Sequence, residues 1–277
     1  MNTTDMTSLK AIQDMEYDAL AIVDRICREN GINYFLRGGS VLGAVKYQGF
    51  VPWDDDIDIA LPRNDYEKLI NTMSSELNED MLFVAYQKTK NAHCYFPRVI
   101  LKDSVAQRMG FPKNNERGLV LIDILPLDGM PTSGIGLKIH IAKAYFYRIL
   151  ASLWTLEVKD TVSMHGGKKD IILKVLHGLK IHKLYKQDDI YRKLDKLYSK
   201  YPYGKTDRCG MLASSKLKKE IVPYSWWGEG TIGKFKELSI AIPSDYDNYL
   251  KQLFGDNYAT YEPPENERTK SHLYGKA

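Results

Sequence analysis

The first third of the chain alternates between helical and strand-like patterns of apolar residues. Residues 8–29 carry an apolar face at helical spacing, and Asn30-Gly31 is a typical helix end. The residues on that face are Leu9, Ile12, Met15, Leu20, Val23 and Ile26. A strand is predicted over residues 32–36, followed by the turn Arg37-Gly38-Gly39. Ser40 is predicted to be the N-cap of a short helix that runs to Tyr47 and closes at Gly49.

The pattern after Pro52 predicts a mixed fold. Residues 55–61 alternate polar and apolar side chains, which predicts a strand. Asn64 is predicted to cap a helix over residues 65–77, and further strands are predicted over residues 82–86, 94–102 and 119–125. Beyond residue 136 the periodicity becomes helical, with helices predicted over residues 136–156, 170–185, 188–201 and 245–254. We therefore predict an α/β (α+β) fold, with a core in residues 1–130 and a mostly helical region in residues 131–277.

Composition narrows the class of protein. The 277 residues are 44% hydrophobic and 27% charged, which excludes a disordered or collagenous chain. The three cysteines, Cys27, Cys94 and Cys209, form no CxxC pair, so a disulfide scaffold and a zinc ribbon are both excluded. The chain has neither a leader-like apolar segment nor a run of about 20 apolar residues. We expect a cytoplasmic protein.

Basic residues concentrate in one part of the chain. Residues 159–219 contain sixteen Lys or Arg and six Asp, a local charge of +10 within a net charge of +4. Apolar residues at helical spacing are interleaved with lysines between Lys168 and Lys186. Such a helix could lie on an anionic membrane surface, or it could pack on the core with its lysines in water. Both interpretations stay open, and no nucleic-acid partner is expected.

Four aspartates fall within five positions: Asp54, Asp55, Asp56 and Asp58. On a strand, Asp56 and Asp58 share one face while Ile57 and Ile59 enter the core. Two neighbouring carboxylates in a low dielectric repel each other unless a cation lies between them. Oxygen ligands of this kind suit Mg²⁺, which takes the rest of its shell from water and phosphates. The pair therefore predicts a magnesium (or manganese) site.

Two other features complete this picture. The turn Gly38-Gly39-Ser40 offers amide N–H groups and a hydroxyl at a helix N-terminus, where phosphates bind readily. Asp123 is a lone carboxylate in the apolar run 119–125, where burial is costly without a cation or hydrogen-bond donors. We predict that Asp123 is the third metal ligand, although a hydrogen-bonded core aspartate would have the same pattern.

At these residues the sequence resembles a known family. Residues 34–69, YFLRGGSVLGAVKYQGFVPWDDDIDIALPRNDYEKL, closely resemble the signature of the LicD family of phosphotransferases. These enzymes are relatives of the nucleotidyltransferases and of the fukutin-related ribitol-phosphate transferases. The resemblance continues in Pro243-Ser244-Asp245-Tyr246-Asp247 and in Pro263-Pro264-Glu265, with Arg268 and His272.

The resemblance implies a nucleotidyltransferase-like core and a specific reaction. Phosphocholine, or a related phospho-alcohol, would pass from a CDP-linked donor such as CDP-choline to a sugar hydroxyl of a glycan or lipid-linked oligosaccharide, and CMP would leave. Teichoic acid and lipopolysaccharide precursors are the acceptors it suggests, at the inner face of the membrane.

The same resemblance suggests roles for individual residues. Asp56, Asp58 and Asp123 would be the catalytic and metal-binding residues. The predicted substrate-binding residues are Gly38, Gly39, Ser40, Lys46, Trp53, Arg98 and His272. Lys46 and Arg98 are candidates by charge alone and not from the resemblance, and either could equally be a surface cation. Trp53 could equally pack in the core or against a loop, and His272 follows only from the C-terminal resemblance.

Two alternatives stay open at this point. The first is a nucleotidyltransferase that transfers a nucleoside monophosphate and releases pyrophosphate, because the same turn and acids would handle that substrate. The second is a catalytically inactive member that acts as an interaction module, although the intact Asp56, Asp58 and Asp123 argue against it.

Overall fold

The structure is a computed structural model that describes residues 3–155, 173 and 175–264. The helices are α1 (Thr3–Glu29), α2 (Gly38–Tyr47), α3 (Arg63–Thr72), α4 (Asp103–Arg108), α5 (Gly134–Thr155), α6 (Gln187–Tyr198), α7 (Tyr224–Trp227) and α8 (Tyr246–Phe254). The strands are β1 (Phe35–Leu36), β2 (Ile57–Pro62), β3 (Met81–Val84), β4 (Arg98–Lys102), β5 (Gly118–Gly129), β6 (Arg208–Gly210), β7 (Val222–Pro223), β8 (Thr231–Phe235) and β9 (Leu238–Ile242). The predicted α/β class is confirmed.

One mixed sheet organises the described residues. Its strand order is β3-β4-β5-β2-β1-β9-β8, and β6 and β7 extend from β5. The central neighbours β2 and β5 are parallel, while β4 runs antiparallel to β5 and β1 antiparallel to β2. Strands from before and after residue 130 therefore join the same sheet.

Apolar side chains of the central strands and of the helices around them form the core. Ile57, Ile59 and Leu61 of β2 are fully buried, as the alternating pattern predicts. Leu20 and Val23 of α1 are also fully buried, and α1 contacts β5. Helices α2 and α3 contact β2, and α5 packs against α6.

A buried ion network ties α6 to the sheet. The Arg63 guanidinium, at the start of α3, donates from Nε to the Asp128 carboxylate over 2.7 Å and from Nη1 to Asp195 over 2.6 Å. Arg63 and Asp128 are almost wholly buried. Burial opposes the positive charge of the Arg63 guanidinium, but the carboxylates of Asp128 and then Asp195 outweigh this effect and raise its pKa. This network fixes α6 at the end of β2 and β5.

The structure corrects two predicted helix caps. Helix α2 begins at Gly38, so Arg37 is its N-cap residue and Ser40 lies inside the first turn. The helix ends at Tyr47 with Gln48 in the left-handed conformation, so the closing residue is not Gly49. Helix α3 begins directly after Pro62, so Asn64 is not its cap.

Other predicted boundaries also differ. Helix α3 ends at Thr72 because Met73 is extended, and Glu76 then pairs with Leu82 across a short β-bridge. Strands β6 to β9 were not predicted, since the sequence pattern predicts no element between residues 201 and 245. Of the predicted helix at residues 170–185, residues 170–172 and 174 lie outside the described residues, and residues 181–184 form a 3₁₀ turn.

Candidate active site

Three adjacent strands align the polar residues at the centre of the sheet. Asp58 of β2 lies opposite Asp123 of β5, and Asp123 lies opposite Arg98 of β4. Residues in register on neighbouring strands point to the same face of a sheet. The Arg98 guanidinium accordingly contacts the Asp123 carboxylate, with 2.8 Å between Nε and Oδ1. The sheet therefore brings together two of the predicted acids and a predicted phosphate-binding cation.

The glycine turn lies directly against the acidic residues. Gly38 has a φ of +55°, and a Cβ atom built there would lie 3.5 Å from Asp58 Oδ2. A Cβ atom on Gly39 would lie only 2.6 Å from Asp54 Oδ2. The backbone conformation therefore favours glycine at position 38, and a side chain at position 39 would require the Asp54 carboxylate to shift. The turn therefore lies next to Asp58 and Asp54 in the structure.

Ser40 connects the turn to β2. Its hydroxyl oxygen accepts a hydrogen bond from the Asp58 backbone N–H over 3.0 Å. The Gly38 N–H donates to the Tyr249 hydroxyl of α8 over 3.1 Å. The first contact holds the turn against β2, and the second holds it against α8. Since the Ser40 oxygen is the acceptor, its own hydroxyl proton can still be donated to a ligand.

Arg37 is the centre of a buried polar network beside this turn. Its Nη1 lies 2.8 Å from Asp58 Oδ2, and its Nη2 donates to Glu220 over 2.6 Å and to the Ser214 hydroxyl over 3.0 Å. Tyr249 donates its hydroxyl to the other Glu220 oxygen over 3.0 Å. Burial opposes the charge of Arg37, but Asp58 and then Glu220 outweigh it and raise the pKa of the guanidinium. The network thus fixes the Asp58 carboxylate.

Negative charge accumulates around Asp56. This half-buried residue immediately precedes β2. Burial, followed by the carboxylates of Asp54, Asp58, Asp55 and Asp123, raises the pKa of Asp56 well above its ordinary value. A surplus of negative charge at one carboxylate is the arrangement that a bound cation would relieve.

A further carboxylate lies behind this loop. Glu16 of α1 is fully buried, and neither of its side-chain oxygens has a hydrogen-bond partner. Its pKa is raised well above the ordinary value by burial and then by Asp56, Asp55 and Asp54. One turn earlier on the same helix, Gln13 donates to the Asp54 carbonyl over 2.9 Å. Helix α1 therefore packs against the loop formed by residues 54–56.

The carboxylates of Asp56, Asp58 and Asp123 are the groups that could hold a metal ion here. Within residues 3–155, 173 and 175–264, no group of three or more His, Cys, Asp or Glu side chains is arranged to hold a metal ion. Asp123 contacts Arg98 and Asp58 contacts Arg37, and both contacts oppose a closed three-carboxylate site. Magnesium sites commonly use one or two carboxylates plus substrate phosphates. Asp56 and Asp58 fit that arrangement, and the three-ligand assignment stays a prediction.

The other predicted site residues lie further away or outside the described residues. Lys46 is in the last turn of α2, at the opposite end from the glycine turn, where it donates to the Tyr261 carbonyl over 3.0 Å and lies 3.7 Å from Glu262. Trp53 is half-buried, and its ring meets the Tyr47 ring edge-on at 6.1 Å. His272 lies outside the described residues. The structure therefore does not bring Lys46 to the acids.

The residues that hold Asp58 in this site were not predicted from the sequence. Arg37 was noted only as part of a turn, although a cation beside Gly38 and close to four acids was a usable signal. Glu220, Ser214 and Tyr249 carried no such signal, because they approach Arg37 only through the fold, from about 180 to 210 residues away along the chain.

The chain is similar to a known domain family and to known proteins. Residues 31–131 match the LicD/FKTN/FKRP nucleotidyltransferase domain family. The chain is similar to the lipopolysaccharide cholinephosphotransferase LicD of Haemophilus influenzae, with 24% identity over 279 residues, which cover 95% of this chain and 96% of that protein. It also shares 37% identity over 49 residues with an uncharacterized protein of Rickettsia prowazekii, 18% of each chain. The predicted resemblance to the LicD family is confirmed.

Proposed function

We propose that this protein is a phosphotransferase that moves phosphocholine, or a related phospho-alcohol, from a CDP-linked donor to a sugar hydroxyl of a cell-surface glycan precursor. The observation that carries the proposal is the acidic site itself, where Asp58 lies against Gly38 of the glycine turn and opposite Asp123, and where Asp56 is close enough to both acids for their charges to raise its pKa. The similarity to a lipopolysaccharide cholinephosphotransferase supports the choice of group, because it extends over nearly the whole of both chains. Lipopolysaccharide and teichoic acid precursors are the acceptor classes to test.

The proposed step is a single displacement at phosphorus. The acceptor oxygen attacks the phosphorus that carries choline, the bond from that phosphorus to the bridging oxygen breaks, and CMP leaves with the bonding electrons. The acceptor proton goes to a carboxylate, for which we propose Asp123. Such transfers depend on charge neutralisation and in-line positioning rather than on covalent chemistry by the protein.

The residues around the acids have defined parts in this step. Asp56 and Asp58 would hold Mg²⁺ or Mn²⁺, which neutralises charge on the diphosphate when bound. The Ser40 hydroxyl donates to a phosphate oxygen, and Gly38 and Gly39 allow the diphosphate to approach the backbone. Arg98 holds the Asp123 carboxylate, and Arg37 holds that of Asp58.

The competing activity is nucleotidyl transfer, which the description of the matched family favours. Product analysis separates the two. The protein is incubated with Mg²⁺, an acceptor glycan and either CDP-choline or CTP with phosphocholine, and the nucleotide products are resolved by chromatography. We expect CMP from CDP-choline, and no CMP from the Asp56→Asn variant. Pyrophosphate released from CTP would contradict the proposal and favour the alternative.

A further inference from the structure

The outward face of α5 carries an apolar stripe that the described structure does not cover. Ile135, Ile139, Phe146 and Ile149 have exposed fractions of 74%, 51%, 58% and 40%. At 100° per residue these positions, with exposed Ala142 between them, fall within one sector about 80° wide, and the stripe is about 21 Å long. Exposed large apolar residues are normally scattered singly, so a continuous stripe indicates a contact surface.

The opposite face of α5 is already in contact with the protein. Ala144 and Ala151 are buried in the core, and Arg148 donates from the helix to the Leu212 and Ser214 carbonyls over 3.0 and 2.8 Å. Helix α5 is therefore apolar on both its inner and its outer face. The inner face is already buried against the protein, so the exposed apolar outer face is available to a further apolar partner.

The charges beside the stripe indicate what kind of partner covers it. Lys138 and Lys143 are exposed and lie about 60° and 80° to either side of the stripe centre. Residues 134–155 contain no Asp or Glu. An apolar stripe with lysines along both borders is the pattern of a helix lying in the interface of an anionic bilayer.

The adjoining segment, residues 175–186, contacts the C-terminal part of α5. Tyr185 donates its hydroxyl to the Leu150 carbonyl over 2.6 Å, and the rings of Trp154 and His182 meet edge-on at 5.5 Å. Three further exposed apolar side chains lie in this segment: Val175, Leu179 and Leu184. Residues 175–187 include three lysines and no acid. A second exposed apolar and basic segment therefore lies against the end of α5.

We propose that this face of α5, together with residues 175–186, docks on an anionic lipid bilayer as a peripheral contact. No helix among the described residues is long and apolar enough to cross a membrane, so the contact is with the surface. A symmetric dimer through the stripe would bring the lysine borders of two copies together, which is electrostatically unfavourable. An anionic headgroup layer instead complements both the apolar stripe and the lysines.

Flotation with lipid vesicles tests this proposal. The full chain is mixed with vesicles of phosphatidylcholine alone or with added phosphatidylglycerol, at low and high salt. We expect binding only to the anionic vesicles, and weaker binding at high salt. The double variant Lys138→Gln/Lys143→Gln should lower the partition coefficient by about fivefold per lysine.

A triple variant tests the apolar part. Ile139→Gln/Phe146→Gln/Ile149→Gln should lose vesicle binding and keep its melting temperature, because these side chains are exposed. The matched control, Met109→Gln/Ile232→Gln, replaces exposed apolar residues elsewhere and should bind like the parent. Absence of binding to anionic vesicles at low salt would overturn the proposal. A parent that is dimeric by light scattering and a triple variant that is monomeric would also overturn it, in favour of a second copy.

Discussion

At the scale of single residues, the two acids predicted as a pair have different surroundings. Asp58 has an arginine partner at 2.8 Å, whereas the pKa of Asp56 is raised by burial and by four neighbouring carboxylates. Their replacement should therefore affect stability in opposite directions, although both variants lose a proposed metal ligand.

Asp56→Asn should abolish transfer and raise the melting temperature, because it removes one of several repelling carboxylates. Asp58→Asn should also abolish transfer but lower the free energy of unfolding by about 1–3 kcal/mol, since Arg37 loses a charged hydrogen-bond partner. Asp80→Asn, at an exposed acid, is the control for both. Near wild-type turnover in Asp56→Asn at saturating Mg²⁺ would exclude the metal assignment.

Ser40→Ala tests the hydroxyl of the turn. The variant should lose about 1 kcal/mol of stability, because the Asp58 N–H loses its acceptor. Donor affinity measured by calorimetry should fall by roughly 1–2 kcal/mol, the value of a hydrogen bond to a charged phosphate. Lower stability with unchanged donor affinity would mean that Ser40 only fastens the turn to β2.

Glu16→Gln should stabilise the protein in a pH-dependent way. Burial and then Asp56 raise the folded-state pKa of Glu16 well above the ordinary value of 4.5. Between 4.5 and that raised pKa the folded protein binds more protons than the unfolded chain, so stability is lost as pH rises. The gain from Glu16→Gln should thus be absent at low pH and increase toward neutral pH.

The measurement is the melting temperature of both proteins across the pH range. Glu29→Gln on the same helix is the control, because its side chain is exposed and paired with Arg25. It should show little effect at any pH. Equal gains at low and neutral pH for Glu16→Gln would mean that charge is not the cause.

At the scale of elements, the buried ion network determines how α6 is held on the sheet. Arg63→Met should destabilise the fold by about 3–5 kcal/mol, because it leaves the Asp128 carboxylate buried without its partner. Arg192→Met, which breaks the exposed pair with Asp189, should change stability by less than about 1 kcal/mol. Chemical denaturation measures both, and equal effects would contradict the role given to burial.

Some strands of the sheet could be predicted from the sequence pattern and others could not. The alternation around Ile57 and Ile59 predicted β2 and the face that Asp58 occupies, since burial on one face imposes a period of two. Hairpin β8–β9 was missed, although Lys236 provides a left-handed residue at its turn. Its partner β1 is only two residues long, and its place in the sheet depends on a parallel contact between Phe35 and Ala241 that no local pattern records.

At the scale of the whole molecule, the candidate site is built from segments that are distant along the chain. The turn, β2 and β5 come from the first half and were predicted from residue types and spacing. The Arg37 network needs Ser214, Glu220 and Tyr249 from the second half, so it could be found only in the folded structure. Local patterns thus predicted the acids of the site and Arg98, but not the network that holds Asp58.

The direct test of the proposed function follows the phosphorus atom. CDP-choline labelled at the phosphorus next to choline is incubated with the protein, Mg²⁺ and a lipopolysaccharide or teichoic acid acceptor. We predict that the label moves to the glycan, that unlabelled CMP is released, and that Asp56→Asn transfers no label while Asp80→Asn transfers as the parent does. Label that stays in the nucleotide or appears in free phosphocholine, or equal transfer by Asp56→Asn, would contradict this function.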